Sequence, residues 1–371
     1  MPRLRQLKRL KDDRGAAATI VTILLAGGVL LGMTALVVDV GQLYAEREQL
    51  QSGADSAASR IAVECAKRRS ACTVDTLTVA ELAADRNAAD GRSNVEQLCG
   101  YDAGSRLPDC AGTVPNRGNL TDCLGTVPAG VNYVQVRTRT EVSENNYVLP
   151  YSFAQTLAGS RTGTTVSACS RVAYGPPKSG LALTISACEY ERTRANEVSA
   201  PPWPPNPPAS QEVALGVHGS MATTCSVGPP SGWDQPGGFG WLDETGGPCH
   251  FSLTIDLEYG GNTGSSPSQT CKDTLASLRD THTPVAMPIY DGQRDPGSGT
   301  QYHLYKLGAF VVTGYYLPGL REASNVNTSF DPCRGSDTCI YGYFVDVEFL
   351  PGDVGPDPGT DLGLIAIKTI G

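Results

Sequence analysis

The sequence predicts an α+β protein, in which a long N-terminal transmembrane helix is followed by a β-rich, disulfide-linked extracytoplasmic head. Residues 16–38 form a run of 23 residues without a charged side chain. Residues 39–66 continue with apolar residues at helical spacing. Beyond them the chain has alternating strand patterns, and all 12 cysteines lie at residue 65 or later. Together these features favour a helix that carries a separate β-rich head.

Residues 1–15 form a basic segment. They contain six Lys or Arg and two Asp, which gives a net charge of +4, whereas the rest of the chain carries −13. The basic flank of a membrane helix stays in the cytoplasm. We therefore expect a single-pass protein of the cytoplasmic membrane, with the N-terminus inside and everything from Asp39 onward outside.

The apolar run 16–38 is long enough to cross a bilayer, because a helix of this length spans roughly 35 Å. A cleaved signal peptide is the alternative. The run exceeds the usual h-region of about 7–15 residues, and no A-x-A site follows it, so a retained anchor is favoured. Gly28 and Gly32 match the weak G-x-x-x-G pattern of helix pairs. The residues taken to mark the anchor are Ala16, Leu24, Gly28, Gly32 and Val38.

Residues 39–66 are predicted to continue the helix as an amphipathic stalk. No proline interrupts 16–66, so one helix of about 76 Å is possible. Its apolar stripe must be covered, either by the chain's own head or by a partner helix, including that of a second copy. The stripe residues expected to pack are Leu50, Ala54, Ala57, Ala58 and Ile61.

A family resemblance rests on residues 14–18 (RGAAA), the apolar run, residues 37–51 (VVDVGQLYAEREQLQ) and residues 54–58 (ADSAA). These residues resemble the N-terminal module of Tad (Flp) pilus-assembly proteins of the TadG-like type. Residues 237–243, 284–291, 308–315 and 339–344 are similar to the actinobacterial branch of that group. The resemblance implies a pilin-like helix and a non-catalytic structural or accessory role. It also implies partners among other pilin-like or Tad assembly subunits.

Two features depart from the pattern of these families. Pilin precursors of this system are cut after a Gly and carry Glu at the fifth mature position, where cleavage after Gly15 would place Ile20. The helix is therefore expected to stay in the membrane. The D-x-S-x-S metal motif that some relatives carry in a von Willebrand A-type domain is absent from the sequence. The resemblance therefore does not imply a metal site in this chain.

Residues 67–177 are predicted to form a small α/β region with Cys-rich loops. We expect a helix over 75–89, a strand from Val131, a short helix over 150–158 and a strand over 164–174, in otherwise irregular chain. Residues 178–371 are predicted to form a β-rich domain, with a strand-like stretch at 181–193 and a stiff proline-rich segment at 200–209. The further strand candidates, whose spacing indicates a sandwich or open barrel, are 212–218, 250–259, 284–290, 301–316, 340–349 and 362–370.

The cysteines predict disulfides rather than a zinc site. Their number is even, no C-x-x-C occurs, and no His lies at metal-ligand spacing from a Cys pair. Free buried thiols are the alternative. Sequence neighbours suggest four pairs, namely Cys65–Cys72, Cys99–Cys110, Cys249–Cys271 and Cys333–Cys339.

Several function classes are disfavoured by the sequence. An acidic exterior without a basic stripe argues against nucleic-acid binding. No common catalytic or nucleotide-binding motif is present, so no catalytic residue, metal or cofactor is expected.

Trp233, Phe239 and Trp241 border a Gly-rich loop that either recognises a ligand or closes the end of a β core. A surface module that binds carbohydrate or host matrix, and an envelope hydrolase with an unrecognised site, are the alternatives to the pilus role.

Overall fold

One continuous helix dominates the N-terminal part of the computed structural model. It consists of α1 (Arg14–Leu24), a π-helical turn (Leu25–Val29) and α2 (Leu30–Lys67). The structure describes residues 14–67, 72–73, 77–102, 107–110, 123, 129–153, 162–194, 198–199, 211–216, 227–234, 238–262, 266–297, 299–347, 349–350 and 352–371. Residues 1–13 of the basic segment and the proline-rich segment 200–209 lie outside these residues.

The helix over Ala17–Lys67 is long and apolar enough to cross a membrane. Its most apolar window has a mean hydropathy of 2.4, and no residue of that window is buried against the rest of the chain. The π-helical turn contains the adjacent pair Gly27 and Gly28. Such turns commonly occur as single insertions within α-helices, and glycine tolerates the change in backbone path.

A five-stranded sheet lies next to α2, together with α3 (Leu77–Asp85). Its strand order is β1-β2-β5-β18-β17. A short pair, β3 (Leu149–Pro150) and β4 (Gly163–Thr164), lies between β2 and β5 in the chain. The five strands are β1 (Ser93–Tyr101), β2 (Asn132–Thr140), β5 (Ser167–Gly175), β17 (Phe349–Leu350) and β18 (Ile365–Thr369).

A nine-stranded sheet forms the larger part of the head. It is accompanied by the pair β6 (Ser179–Leu181) and β11 (His250–Ser252), and by helices α4 (Ala187–Arg194) and α5 (Gln269–Thr281). The nine strands are β7 (Leu183–Ser186), β8 (Val198–Ser199), β9 (Val213–Gly216), β10 (Phe239–Leu242), β12 (Glu258–Asn262), β13 (Val285–Arg294), β14 (Thr300–Leu317), β15 (Leu320–Glu322) and β16 (Cys339–Asp346).

Five of these strands close into a ring. The strand order β12-β10-β7-β13-β14 returns to its start because β12 also pairs with β14. Tyr302 on β14 stacks edge-on against Tyr290 on β13, with ring centroids 4.8 Å apart. A Cβ at Gly240 on β10 would overlap the Tyr302 hydroxyl, so glycine makes room for the phenol.

The second half of the long strand β14, from Leu307 to Tyr315, is buried on both faces. Phe310 and Val312 belong to one apolar cluster, whereas Ala309 and Val311 belong to another. Because successive strand residues point to opposite faces, each cluster lies on its own side of the sheet. This explains the near-continuous apolar run of the strand, which differs from the alternation of a half-exposed strand.

Several local predictions differ from the structure. The stretch 181–193 is strand only as far as Ser186 and then becomes α4. The region 67–130 contains strand β1, and the stretch 250–259 is divided between β11 and β12. Strand β3 occupies the start of the helix predicted at 150–158, and residues 154–161 lie outside the described residues. Helix α5 has no counterpart among the predicted elements.

The C-terminal strand does not stay with the nine-stranded sheet. Strand β18 pairs antiparallel with β5, so the last residues of the chain complete the five-stranded sheet. The segments 67–177 and 178–371 therefore share one sheet. This pairing returns the chain end to the neighbourhood of α2.

Disulfides join all four of the sequence-neighbour cysteine pairs, Cys65–Cys72, Cys99–Cys110, Cys249–Cys271 and Cys333–Cys339. A fifth disulfide, Cys123–Cys169, links residues far apart in sequence. Cys188 is also disulfide-bonded, and no free cysteine occurs in the part of the chain that the structure describes. Closed loops of these sizes typically contribute about 2–4 kcal/mol each to stability.

Thiol labelling of the native protein without reduction is therefore expected to leave most cysteines unmodified. A disulfide has no thiolate to react with an alkylating reagent. Mass spectrometry after labelling, before and after reduction, measures the labelled fraction. Labelling of half or more of the cysteines before reduction would contradict the disulfide assignment.

Candidate functional site

The apolar face of the stalk, residues 39–67 of α2, is covered by the chain's own head. The five residues predicted to pack, Leu50, Ala54, Ala57, Ala58 and Ile61, are between 0 and 2% exposed. The last three share an apolar cluster with Val95, Leu98, Val134, Val136, Val172 and Tyr174 of the five-stranded sheet. The sequence left open whether this face packs against the chain's own head or against a partner helix. In the structure it packs against the head.

Large and small residues contribute differently to this contact. Burial of Leu50 and of Ile61 contributes about 1.5–3 kcal/mol each relative to exposure. The alanines bury little area, but their short side chains allow the helix backbone to approach the sheet. At Gly53 the approach is to α3, where an added Cβ would lie 3.2 Å from the carbonyl oxygen of Ala84. The stalk is therefore held between a sheet and a second helix.

Hydrogen bonds fix the register of the stalk on the sheet. The Thr138 hydroxyl donates to the carbonyl oxygen of Leu50 at 2.9 Å. Gln51 Nε2 donates to the carbonyl oxygen of Cys169 at 3.0 Å. Burial raises the pKa of Glu46, a rise that a hydrogen bond with Thr140 opposes. These contacts involve strands β2 and β5, so sliding along the sheet would break several bonds at once.

The head also binds the stalk where the apolar run ends. Asp39 is 5% exposed, and its Oδ1 accepts hydrogen bonds from the backbone N–H groups of Ser152, at 2.7 Å, and Phe153, at 3.1 Å. The Ser152 hydroxyl donates to Gln42 Oε1 at 3.1 Å. Backbone N–H groups satisfy the carboxylate that would otherwise be costly to bury. The stalk is thus attached from its first charged residue onward.

The anchor, which precedes Asp39 in the chain, is not covered by the head. Val38 is 42% exposed, and an added Cβ at Gly28 or Gly32 would have no neighbour within 4 Å. Ala16 and Leu24 lie on α1, and their side chains lie outside the described part of the chain. An exposed apolar surface of this length requires either lipid or other helices around it.

The opposite face of the stalk is polar and open to solvent. Glu48 and Ser56 are exposed, and Arg60 forms an ion pair with Glu64 at 3.1 Å. Exposed pairs of this kind contribute little to stability. This face remains available to other proteins.

The two tryptophans near the Gly-rich loop, Trp233 and Trp241, do not present exposed ring faces. Trp241 is 4% exposed and belongs to the core of the head. Trp233 is 9% exposed, with the Arg294 guanidinium 3.9 Å above its ring and His303 at 5.4 Å. Phe239 begins strand β10, and its side chain lies outside the described residues. A sugar would have no indole face to stack on at Trp233 or Trp241.

The arrangement closest to catalytic machinery is the pair Asp291 and His303. His303 Nδ1 lies 2.6 Å from Asp291 Oδ1, and Asp291 is 7% exposed. A carboxylate can orient an imidazole in this way, but a triad also needs a nucleophile bonded to that imidazole. The structure describes no hydroxyl bonded to His303. Within the described residues, no group of three or more His, Cys, Asp or Glu is placed to hold a metal ion.

A buried carboxyl group lies at the edge of the nine-stranded sheet. Glu212 is 6% exposed and accepts a hydrogen bond from the Thr313 hydroxyl. Burial raises the pKa of Glu212, while hydrogen bonds from Ser324 and Thr313 oppose the rise. Burial raises the pKa of Tyr343 to about 12, and the negative charge of Glu212 contributes to that rise.

Glu212→Gln is expected to raise the melting temperature at neutral pH and to have a smaller effect in mild acid. A raised pKa means that the folded protein binds this proton more tightly than the unfolded chain does. The stabilisation of the folded state by this bound proton is fully present below the unfolded pKa of about 4.3. It is lost as pH rises through the folded pKa. Melting curves of both proteins from acid to neutral pH measure the difference. A difference that does not change with pH, or an equal change with the exposed Glu48→Gln, would contradict this account.

Comparison with known proteins concerns only the helix. The family model described as putative Flp pilus-assembly TadE/G-like matches residues 15–59. The match begins at the start of the apolar run and ends within the buried face of the stalk. Neither the curated proteins nor the solved structures give a significant match to the chain.

Proposed function

We propose that this protein is a membrane-anchored, non-catalytic component of Tad (Flp) pilus assembly, of the TadG-like, actinobacterial type. The observation that carries the proposal is the family match over residues 15–59, which covers both the anchor and most of the stalk. The helix over Ala17–Lys67, apolar enough to span a membrane, supports anchoring. The basic N-terminus supports an orientation with the head outside the cytoplasm.

The fold indicates how such a component would act. The stalk face is occupied by the head, so partner subunits have access to the bare anchor and to the polar face of the stalk. Gly28 and Gly32 would allow a second helix to approach closely within the membrane. The same surface would serve a homo-oligomer. Because the head is attached along the whole stalk, a partner bound at the anchor holds the head in a defined position.

In-cell cross-linking tests this function. A photoreactive amino acid is placed at Met33 in the anchor or at Ser56 on the polar face of the stalk, and both positions are exposed. Tyr305, 40% exposed on β14 of the nine-stranded sheet, provides the control position. The proposal expects Tad pilus subunits among the adducts from Met33 or Ser56, in excess of those from Tyr305. Adducts at Met33 and Ser56 that contain no pilus subunit would contradict it.

A further inference from the structure

The segment 141–153, here called the rim segment, follows β2 down the length of the stalk. Strand β2 runs antiparallel to the helix. Thr138 bonds to Leu50, Thr140 bonds to Glu46, and Ser152 bonds to Asp39. The chain therefore moves closer to the anchor along β2, turns back at Ser143–Asn146, and reaches the end of the stalk at Ser152.

The contact with Asp39 sets the height of the rim segment. A helix needs about 20 residues to cross the hydrocarbon core, and the charge-free run 16–38 supplies them. Asp39 then lies at the membrane surface. The Phe153 nitrogen is 3.1 Å from the Asp39 carboxylate, so Phe153 lies at the same level.

The rim segment exposes three apolar side chains, and Phe153 is the one that the contact with Asp39 places at this level. Phe153 is 49% exposed, Val148 43% and Val142 37%. Val40 and Tyr44 on the adjacent turns of the stalk are 40% and 67% exposed. The other large apolar side chains that the structure shows exposed on the head are Leu77 and Leu82 on α3, Tyr101 on β1, Ile255 before β12 and Tyr305 on β14. Aromatic side chains next to a membrane helix favour the interface between lipid and water.

We infer that the Phe153 end of the rim segment sits in the headgroup region of the bilayer that the anchor enters, with Phe153 and Tyr44 in contact with lipid. This inference rests on the proposed membrane anchoring. Glu141 and Glu144 are the only charged residues between 140 and 153, so the rim segment itself carries no basic residue that would attract anionic lipid. The contact is apolar and aromatic, and zwitterionic lipid is sufficient for it. The head therefore rests on the membrane instead of standing away from it.

Depth-dependent fluorescence quenching tests the inference with the full chain in phosphatidylcholine vesicles. The lipid acyl chains carry bromine either near the headgroup or near the chain end. The reporter is Phe153→Trp. The matched control is Tyr101→Trp, because Tyr101 is 47% exposed and pairs with Tyr133 at the opposite end of β2. Met33→Trp reports insertion of the anchor. Emission of the parent protein, which has three tryptophans, is subtracted.

We expect Phe153→Trp to be quenched at least twice as strongly by bromine near the headgroup as by bromine near the chain end. Tyr101→Trp should be unaffected, and added salt should not weaken the effect. If Met33→Trp is quenched but Phe153→Trp resembles Tyr101→Trp, the helix is inserted and the inferred contact between Phe153 and lipid is wrong. The exposed apolar residues of the rim segment would then be available to a protein partner. Equal quenching of Phe153→Trp and Tyr101→Trp would indicate non-specific adsorption and also overturn the inference. If Met33→Trp is not quenched, anchoring and lipid contact both fail.

Discussion

Ala58→Trp is expected to detach the stalk from the head and lower the melting temperature of the whole protein. Ala58 is fully buried in the cluster that joins α2 to the five-stranded sheet. An indole has no space there, and overpacking of this kind costs about 1–3 kcal/mol or more. Thermal unfolding and protease resistance of the purified full chain, compared in one detergent, measure the effect.

Ser56→Trp is the matched control, because it adds the same side chain two residues away on the exposed face. Glu48→Lys tests charge on that face and should change stability by well under about 1 kcal/mol. If Ala58→Trp melts at the same temperature as Ser56→Trp, the head does not cover the stalk face in solution. Membrane insertion should be unaffected by all three variants, since residues 16–38 are unchanged.

Ala26→Arg is expected to remove most of the protein from the membrane. Ala26 is exposed near the middle of the apolar run, where an arginine costs roughly 3 kcal/mol of insertion free energy. That cost corresponds to a decrease of about a hundredfold in the insertion equilibrium. The measurement is the share of protein that resists alkaline extraction from membranes, with Ala26→Leu as the control. Unchanged retention of Ala26→Arg would contradict an anchor formed by residues 16–38.

The fold class was predictable because its main signals are local. An uncharged run followed by apolar residues at helical spacing predicts a long helix whatever surrounds it. The covering of the stalk was not predictable in the same way. A stripe such as Leu50, Ala57 and Ile61 shows that burial is needed, but it does not show which surface supplies the burial. The pairing of β18 with β5 is a contact between residues far apart in sequence, and no local pattern specifies it.

The two missed helices had local signals that stronger patterns obscured. Ser186 and Glu189 have the S-x-x-E spacing of a helix start, and the Ser186 hydroxyl accepts from the Glu189 N–H at 3.1 Å. The apolar residues just before them favoured a longer strand. In α5, Ser268 caps the helix by accepting from the Cys271 N–H at 3.0 Å. The helical spacing of Cys271, Leu275 and Leu278 was the available signal there.

The buried aspartate of the candidate site shows the limit of sequence reasoning. Asp39 is the first charge after the apolar run, so the sequence predicts that it lies near the membrane surface. Its bonds to Ser152 and Phe153 depend on a segment more than a hundred residues away. The sequence therefore predicted the apolar helix and the stalk face, whereas the attachment of the head to Asp39 required the structure.

Counting pili on cells that lack this protein tests its proposed role in pilus assembly most directly. The account predicts few or no Tad pili without the chain and restored pili when the unsubstituted chain or Ser56→Trp is supplied. Ala26→Arg, produced in equal amount, should not restore them, because its head would no longer be held at the membrane. Normal pili in the absence of the protein, or full restoration by Ala26→Arg, would contradict the account.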